Sequence, residues 1–266
     1  MTAIGASASG YTITDDASHA SVTLSWAAGT HVGHHRADNE DSYVVAAPLF
    51  AVADGMGGHS AGDVASDAVV RGLATLQSSG FTTTDAIEGA LAAAVKGLDE
   101  TLDDDQRGAG TTVTGAALVL AEDGIRWAVF NIGDSRVYAL FNGELVQVTV
   151  DHSVVQQLVD SGQITRDEAD YHPHSNVITR AVGLADDPIP DYFFFKVEAG
   201  MRLLMCSDGL TKELTDAGIG HFLESAATPR DAVDELLKAA LANSGRDNVT
   251  VVVVDVHGVN PPLIHG

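Results

Sequence analysis

The sequence predicts an α+β protein, a four-layer α/β/β/α sandwich of two antiparallel sheets flanked by helices. Three observations lead there. Successive strand-like runs are joined by very short turns, Asp123-Gly124 and Asn142-Gly143 among them, as in β-hairpins. Two runs, 50–53 and 249–254, are apolar or small throughout, apart from Thr250, so both of their faces must be covered. Three other stretches carry apolar residues at helical spacing. Hairpin strands covered on both faces need a second sheet on one side and helices on the other.

The elements follow in order. Residues 1–21, rich in Ala, Ser, Thr and Gly, read as a flexible leader, ordered only if 11–14 pair with something. Val22, Leu24 and Trp26 alternate with Thr23 and Ser25, which is strand-like. A polar link, 33–42, leads into a strand at 43–47, and Pro48 separates it from the strand that ends at Asp54. Ser60 and Asp63 resemble a capping box, and Val64, Ala65, Ala68, Val69, Leu73 and Leu76 continue it as a helical stripe. A second stripe, Ile87, Leu91, Ala94, Val95 and Leu98, follows Thr84. Asp103 to Asp105 is a solvated acidic stretch before the turn at 108–110. Strands are expected at 111–121, 125–131, 137–141 and 144–148, then short helices at 153–159 and 165–171, the latter opened by the capping box Thr165/Glu168. Residues 172–190 hold three prolines and no periodicity, and read as a mobile segment. Strands follow at 192–197 and 202–206. Thr228-Pro229 opens a helix with its stripe at Val233, Leu236, Leu237, Ala240 and Leu241. The strand 249–254 closes a domain expected to span 22–257, with a tail at 258–266.

Composition narrows the functions available. The 266 residues carry 37 acidic and 14 basic side chains, a formal charge of −23, which disfavours nucleic acid and anionic membranes as partners. The same acid-rich chain suits hard cations with oxygen ligands. Cys206 is the only cysteine, so no internal disulfide can form, and a reducing compartment is expected. No secretion signal and no run of 18 apolar residues is visible. A cytoplasmic monomer is expected.

The stretch 50–59, Phe-Ala-Val-Ala-Asp-Gly-Met-Gly-Gly-His, ends a buried strand on one carboxylate, Asp54, followed by three glycines that let a ligand approach the main chain. An acid there is costly unless paired or metal-bound. Asp208 repeats the design at the end of the 202–206 strand. Counting Glu40/Asp41, Asp134 and Asp247, five acidic stations lie at strand ends or tight links. Each alone is more often an acid that opens a turn than a ligand. Converging, they would repel one another, and a divalent pair would relieve the conflict. Oxygen ligands without a Cys/His pattern favour Mg²⁺ or Mn²⁺.

Seven segments in this order resemble the metal-dependent Ser/Thr protein phosphatases of type 2C, in their bacterial form: Arg36-x-x-Asn-Glu-Asp-Ser42, Asp54-Gly-Met-Gly-Gly-His59, Gly110-Thr-Thr112, Gly133-Asp-Ser-Arg136, Asp151-His-Ser153, Ser207-Asp-Gly209 and Arg246-Asp-Asn-Val249. They span about residues 22–256. The resemblance implies hydrolysis of phosphoserine and phosphothreonine in proteins, with Ser/Thr kinases and their substrates as counterparts. It implies that Asp54 bridges two Mn²⁺ or Mg²⁺ ions, that Asp208 and Asp247 complete the first ion's protein ligands, and that the Gly55 carbonyl binds the second. Glu40 and Asp41 would hold metal-bound waters, Arg36 the substrate phosphate, and Asp134 a third ion. Residues from about 172 to 187 correspond to the family's variable flap, where Ser175 lies. Animal members carry His after the Asp-Gly; here that residue is Met56, which has no proton to give, and His59 nearby reads more readily as a turn or cap residue than as an acid.

Other residues read plainly. His34 and His35 are expected to be exposed in a loop, Cys206 to be a buried small hydrophobe, and Trp26 and Trp127 to be core. A binding module on the same fold would usually have lost carboxylates that are all retained here. A two-metal phosphodiesterase would usually include His at these stations, where none stands.

Overall fold

A computed structural model describes residues 1–57, 61–101, 108–169, 171–184 and 188–262. Numbered along the chain, β1 (Ala3–Ile4), β4 (Asp41–Ala46), β5 (Leu49–Met56), β7 (Val113–Ala121), β8 (Gly124–Ile132) and β11 (Asp191–Lys196) lie side by side in that order, with β6 (Gly110–Thr111) paired to β5. The second sheet runs β10 (Glu144–Gln147), β9 (Arg136–Phe141), β12 (Arg202–Cys206), β13 (Val249–Asn260), β3 (Ser21–His31) and β2 (Ala8–Thr14). Among the described residues, the named strands pair antiparallel except β1 with β4. Helices α1 (Ala61–Ala74) and α2 (Thr84–Thr101) cover the first sheet; α5 (Asp208–Thr211), α6 (Asp216–Ser225) and α7 (Pro229–Asn243) cover the second. The four-layer sandwich is therefore present.

Side-chain alternation explains why the buried strands are apolar on both faces. Phe50 and Val52 of β5 point between the sheets, where Phe50 meets Trp26 and Trp127 edge-on, with ring centroids 5.1 and 6.5 Å apart. Leu49, Ala51 and Ala53 face the helices, against Val69, Leu73, Ile87 and Leu91. In β13, Val252 and Val254 turn inward while Val251 and Val253 meet Val233 and Leu236 of α7. Trp26, Trp127 and Cys206 are all buried. No helix among the described residues is long and apolar enough to cross a membrane.

Local signals hold where they are strong. The turn residues Asn142 and Gly143 both take positive φ, 53° and 78°, as a two-residue hairpin requires. Thr228 and Asp231 form a reciprocal capping box at α7, and Thr165 and Glu168 one at α4 (Arg166–Ala169). Ser153 caps α3 (Val154–Asp160) through Gln156 N–H. Ser60 lies outside the described residues, as do Asp103 to Asp105.

Three expectations need correction. Residues 1–21 are not a loose leader. Strand β2 pairs with β3, Ile13 is fully buried between the sheets, and the Trp26 indole N–H donates to the Ala6 carbonyl at 2.9 Å. The polar composition arises because β2 is an edge strand, exposed apart from Ile13 and the half-buried Ala8. Nor does the domain end at 257. Strand β13 runs on to Asn260, and Gly258 to Asn260 pair with Thr23 to Ser21 after a register shift near His257. Finally, the strand expected at 111–121 breaks at Thr112, whose backbone and hydroxyl turn to Asp54.

Two helices escaped the periodicity. Helix α5 is a single turn, and α6 contains Gly218 and Gly220, each worth about 1 kcal/mol against a helix. Helix α6 forms because Thr215 caps it and Ile219 and Leu223 bury against the second sheet. Residues 172–184 and 188–190 contain no helix or extended strand. One side is tied down by Val154 N–H to Val177 O at 2.9 Å, Thr179 N–H to His152 O at 2.7 Å, and paired bonds between Thr111 and Val182.

Candidate metal and phosphate site

The acids meet where the ends of the two sheets face each other. Strands β4 and β5 set Asp41 opposite Asp54 in register. The Asp54 backbone is fixed by its neighbours. Its N–H donates to Thr112 Oγ1 at 3.1 Å, and its carbonyl accepts from Thr111 Oγ1 and Thr112 N–H, both at 2.9 Å. Gly55 follows because nothing larger fits: a Cβ there would stand 2.2 Å from the Gly62 carbonyl oxygen and 2.6 Å from that of Glu40. The start of α1 thus presses directly on the end of β5.

The second sheet brings Asp208, the first residue of α5, and Asp247, which precedes β13. Gly209 allows their approach, since a Cβ on it would lie 1.9 Å from the Asn248 carbonyl oxygen. Asp41 joins the sheets. Its Oδ2 accepts from Ser207 Oγ at 2.8 Å and Thr250 Oγ1 at 2.6 Å, while its Oδ1 is buried with no hydrogen-bond partner. Asp208 Oδ1 is likewise buried and unpartnered.

Two cations stand among these acids. Lys212 Nζ lies 2.5 Å from Asp208 Oδ2 and 3.1 Å from Asp247 Oδ2. Arg36, with half its side chain exposed, meets Asp247 Oδ1 at 2.8 Å. The Arg36 loop is clamped by Asn248, whose Oδ1 accepts from Glu40 N–H at 2.9 Å and whose Nδ2 donates to the carbonyls of Val32 and Asp38 at 2.9 and 3.0 Å.

Asp134 sits in the link between β8 and β9. Gly133 takes φ +111° there, and its N–H donates to His152 Nδ1 at 3.0 Å. Arg136, two residues on, forms a forked ion pair with Asp151, as short as 2.7 Å. The Gly133-Asp-Ser-Arg136 and Asp151-His-Ser153 motifs are therefore one scaffold that holds this link.

The electrostatics report the crowding. Burial pushes the Asp54 carboxyl well above its ordinary range, and Asp41, Asp208, Asp134 and Asp247 push the same way. Asp41 rises to about 7, chiefly through burial, against its hydroxyl donors. Asp134 also rises to about 7, through burial and then Asp208. Glu40 is raised by burial and by Asp63. Asp247 alone is lowered: burial opposes this, but Lys212 and Arg36 outweigh it.

These features test the site for divalent cations. Among the described residues no three His, Cys, Asp or Glu side chains are already gathered as ligands of one ion. Yet the donor set is all carboxylate and carbonyl oxygen, as Mg²⁺ and Mn²⁺ prefer. One oxygen each on Asp41 and Asp208 is orphaned, and the Lys212 ammonium stands in for a cation between two of the acids. The residues fit such an ion.

The structure brings Asp54 within electrostatic reach of Asp41, Asp134, Asp208 and Asp247, and Arg36 within reach of Asp54, Asp208 and Asp247. Glu40 stands one residue before Asp41, within electrostatic reach of Arg36 and Asp63. His59 lies outside the described residues, and His34 and His35 are exposed. The sequence does not single out Lys212 or Thr250; it offers Thr112, Ser207 and Asn248 only as parts of motifs and Asp63 only as a cap, none with a role at the site. Lys212 had one local signal, its (i, i+4) spacing from Asp208. Thr250 had none, because its partner Asp41 is 209 positions away.

Residues 28–244 match the family model described as protein phosphatase 2C. The serine/threonine protein phosphatase PstP of Mycobacterium tuberculosis is 40% identical over 256 residues, covering 92% of this chain and 48% of PstP, so the chain spans about half that relative's length. The serine/threonine phosphatase stp of Listeria innocua is 34% identical, covering 84% of this chain and 91% of its own. The crystal structure of the PstP catalytic domain in complex with 2 manganese ions superposes with a TM-score of 0.79 at 38% identity, covering 88% of this chain and 99% of that one. That of Stp1 from Staphylococcus aureus gives 0.75 at 34%, covering 88% and 95%.

Proposed function

Because this chain belongs to the protein phosphatase 2C family, we propose that it hydrolyses phosphoserine and phosphothreonine esters in proteins with the help of two Mn²⁺ or Mg²⁺ ions. The observation that carries the reading is the convergence of five aspartates from separate links, with orphaned oxygens on Asp41 and Asp208. The manganese pair in the PstP catalytic domain supports the choice of ion.

Asp54, Asp208, Asp247 and the Gly55 carbonyl would hold the ion pair, and Asp134, raised beside Asp208, a third ion. When bound, the ions supply an activated water and positive charge for the phosphoryl oxygens. Asp41 orients water through its free Oδ1, since Ser207 and Thr250 fix the other oxygen. Glu40 does the same from the adjacent position. Arg36 stays anchored to Asp247 through one nitrogen and offers its remaining N–H donors to the substrate phosphate. Met56, partly exposed beside Asp54, has no proton to give, so the departing alkoxide would take its proton from water or from His59.

We further propose a cytoplasmic signalling role against Ser/Thr kinases and their substrates. The single, buried Cys206 supports a reducing compartment, and the −23 charge supports a monomer.

The test is hydrolysis of p-nitrophenyl phosphate and a phosphothreonine peptide. Activity should require Mn²⁺ or Mg²⁺, vanish with EDTA, and fall at least about a hundredfold in Asp54→Asn, the scale of losing one preorganised electrostatic partner. Turnover that survives EDTA would remove the two-ion mechanism. Inactivity with every divalent ion would leave a phosphoprotein-binding module.

A further inference from the structure

Lys212 has no part in the chemistry above, yet it stands in the middle of the acids. It follows Asp208 by one helical turn, caps the C-terminus of α5, and reaches back so that one ammonium bridges Asp208 and Asp247. Two of the three carboxylates assigned to the ion pair therefore share an internal cation.

We propose that Lys212 is a built-in competitor for metal: its ammonium bridges Asp208 and Asp247 in the metal-free protein, must withdraw for an ion to bind, and so sets the metal affinity of this chain. The inference rests on the two-ion site proposed above.

Three features carry it. The first is shared lone pairs. Mg²⁺ binds oxygen ligands at about 2.0–2.1 Å, and the ammonium already contacts one oxygen of each acid at 2.5 and 3.1 Å. Ion and ammonium would then sit within a few ångströms of each other in a poorly solvated cleft, where like charges repel strongly. The second is necessity. Five aspartates converge here, and in the absence of a bound ion the charge of Asp247 is supported first by Lys212 and then by Arg36. Arg36 cannot replace Lys212, because it meets the other oxygen of Asp247 and does not bridge to Asp208. The third is an exit. About a third of the Lys212 side chain is exposed, so its flexible stem can swing the ammonium into water. The backbone need not move, since Lys212 N–H stays bonded to the Asp208 carbonyl at 2.8 Å.

The consequence is quantitative. Apparent affinity falls by the fraction of molecules whose acids are free of the ammonium. Removing the amine restores the intrinsic affinity.

Calorimetric titration of the EDTA-stripped, dialysed full chain with Mn²⁺ tests this, comparing the unsubstituted protein with Lys212→Met. The variant should bind at least about tenfold more tightly, melt at a lower temperature when metal-free, and gain more in melting temperature from Mn²⁺. A second measurement needs no variant. Acetylation of Lys212 by an amine-reactive ester, read by peptide mass spectrometry, should be slow in metal-free protein and several-fold faster at saturating Mn²⁺. Unchanged or weaker Mn²⁺ binding by Lys212→Met would overturn the inference, as would a Lys212 equally unreactive in both states. If neither chain bound Mn²⁺, the two-ion site itself would fall along with it.

Discussion

Asn248→Ala asks how far one buried amide holds the site together. The residue is 7% exposed, and its side chain makes three hydrogen bonds, all to the main chain of the loop that carries Arg36. Truncation leaves the Glu40 N–H and the carbonyls of Val32 and Asp38 without this partner. At about 1 kcal/mol net per bond, the loss is ~3 kcal/mol, and orphaned buried groups push it upward. For a chain of this size that corresponds to a drop in melting temperature of ~6–12 °C. The functional effect should exceed the stability effect, because the same bonds set where Arg36 and Glu40 stand. With saturating Mn²⁺, kcat/KM on a phosphothreonine peptide should fall at least about tenfold, mostly through KM, since phosphate gripping is lost in ground state and transition state alike. Asn248→Asp sharpens the test. It keeps an acceptor for Glu40 N–H but cannot donate to Val32 and Asp38, and it should rescue neither readout. A folded Asn248→Ala protein with unchanged kcat/KM and a melting temperature within about 2 °C would refute the clamp.

Three other perturbations follow from the same geometry. Asp41→Asn should stabilise the metal-free protein in a pH-dependent way. The folded carboxyl titrates near 7, above its ordinary value, so the folded state holds a proton that the unfolded chain loses first, and stability falls as pH rises through that window. The variant's advantage in urea unfolding with EDTA should be near zero at pH 4 and grow to at most about 4 kcal/mol above pH 7, while Mn²⁺ stabilises it less than the parent; an equal advantage at both pH values would contradict this origin. Gly209→Ala forces a methyl to 1.9 Å from the Asn248 carbonyl oxygen, so it should cost about 1–3 kcal/mol or more and weaken Mn²⁺ binding in the same calorimetric titration. Arg136→Met should cost about 3–5 kcal/mol by stranding the largely buried Asp151. In a double-mutant cycle, Arg136→Met with Asp151→Leu should recover at least half of that, and simple additivity of the two losses would argue against an interacting pair.

Much of this protein was legible along the chain because the governing signals are local. Asn142-Gly143 turns because both residues tolerate positive φ; Thr165, Thr228 and Ser153 start helices because their hydroxyls reach N–H groups three residues on. The acids at strand ends stood out for a similar reason: a carboxylate that closes an apolar run is costly within its own few residues. What stayed hidden depends on partners far away. The edge strand β2 reads as a loose polar leader until β3 supplies its hydrogen bonds and the inter-sheet space takes Ile13. Helix α6 is masked by two glycines until the second sheet rewards its burial. Thr250 holds Asp41 only because sheet stacking brings β13 across to β4, and Lys212 bridges Asp247 only because α5 packs on the turn before β13. Residue chemistry and short-range spacing determined which groups were candidates. Strand register and the packing of layers, which sum contacts across two hundred positions, decided which of them meet.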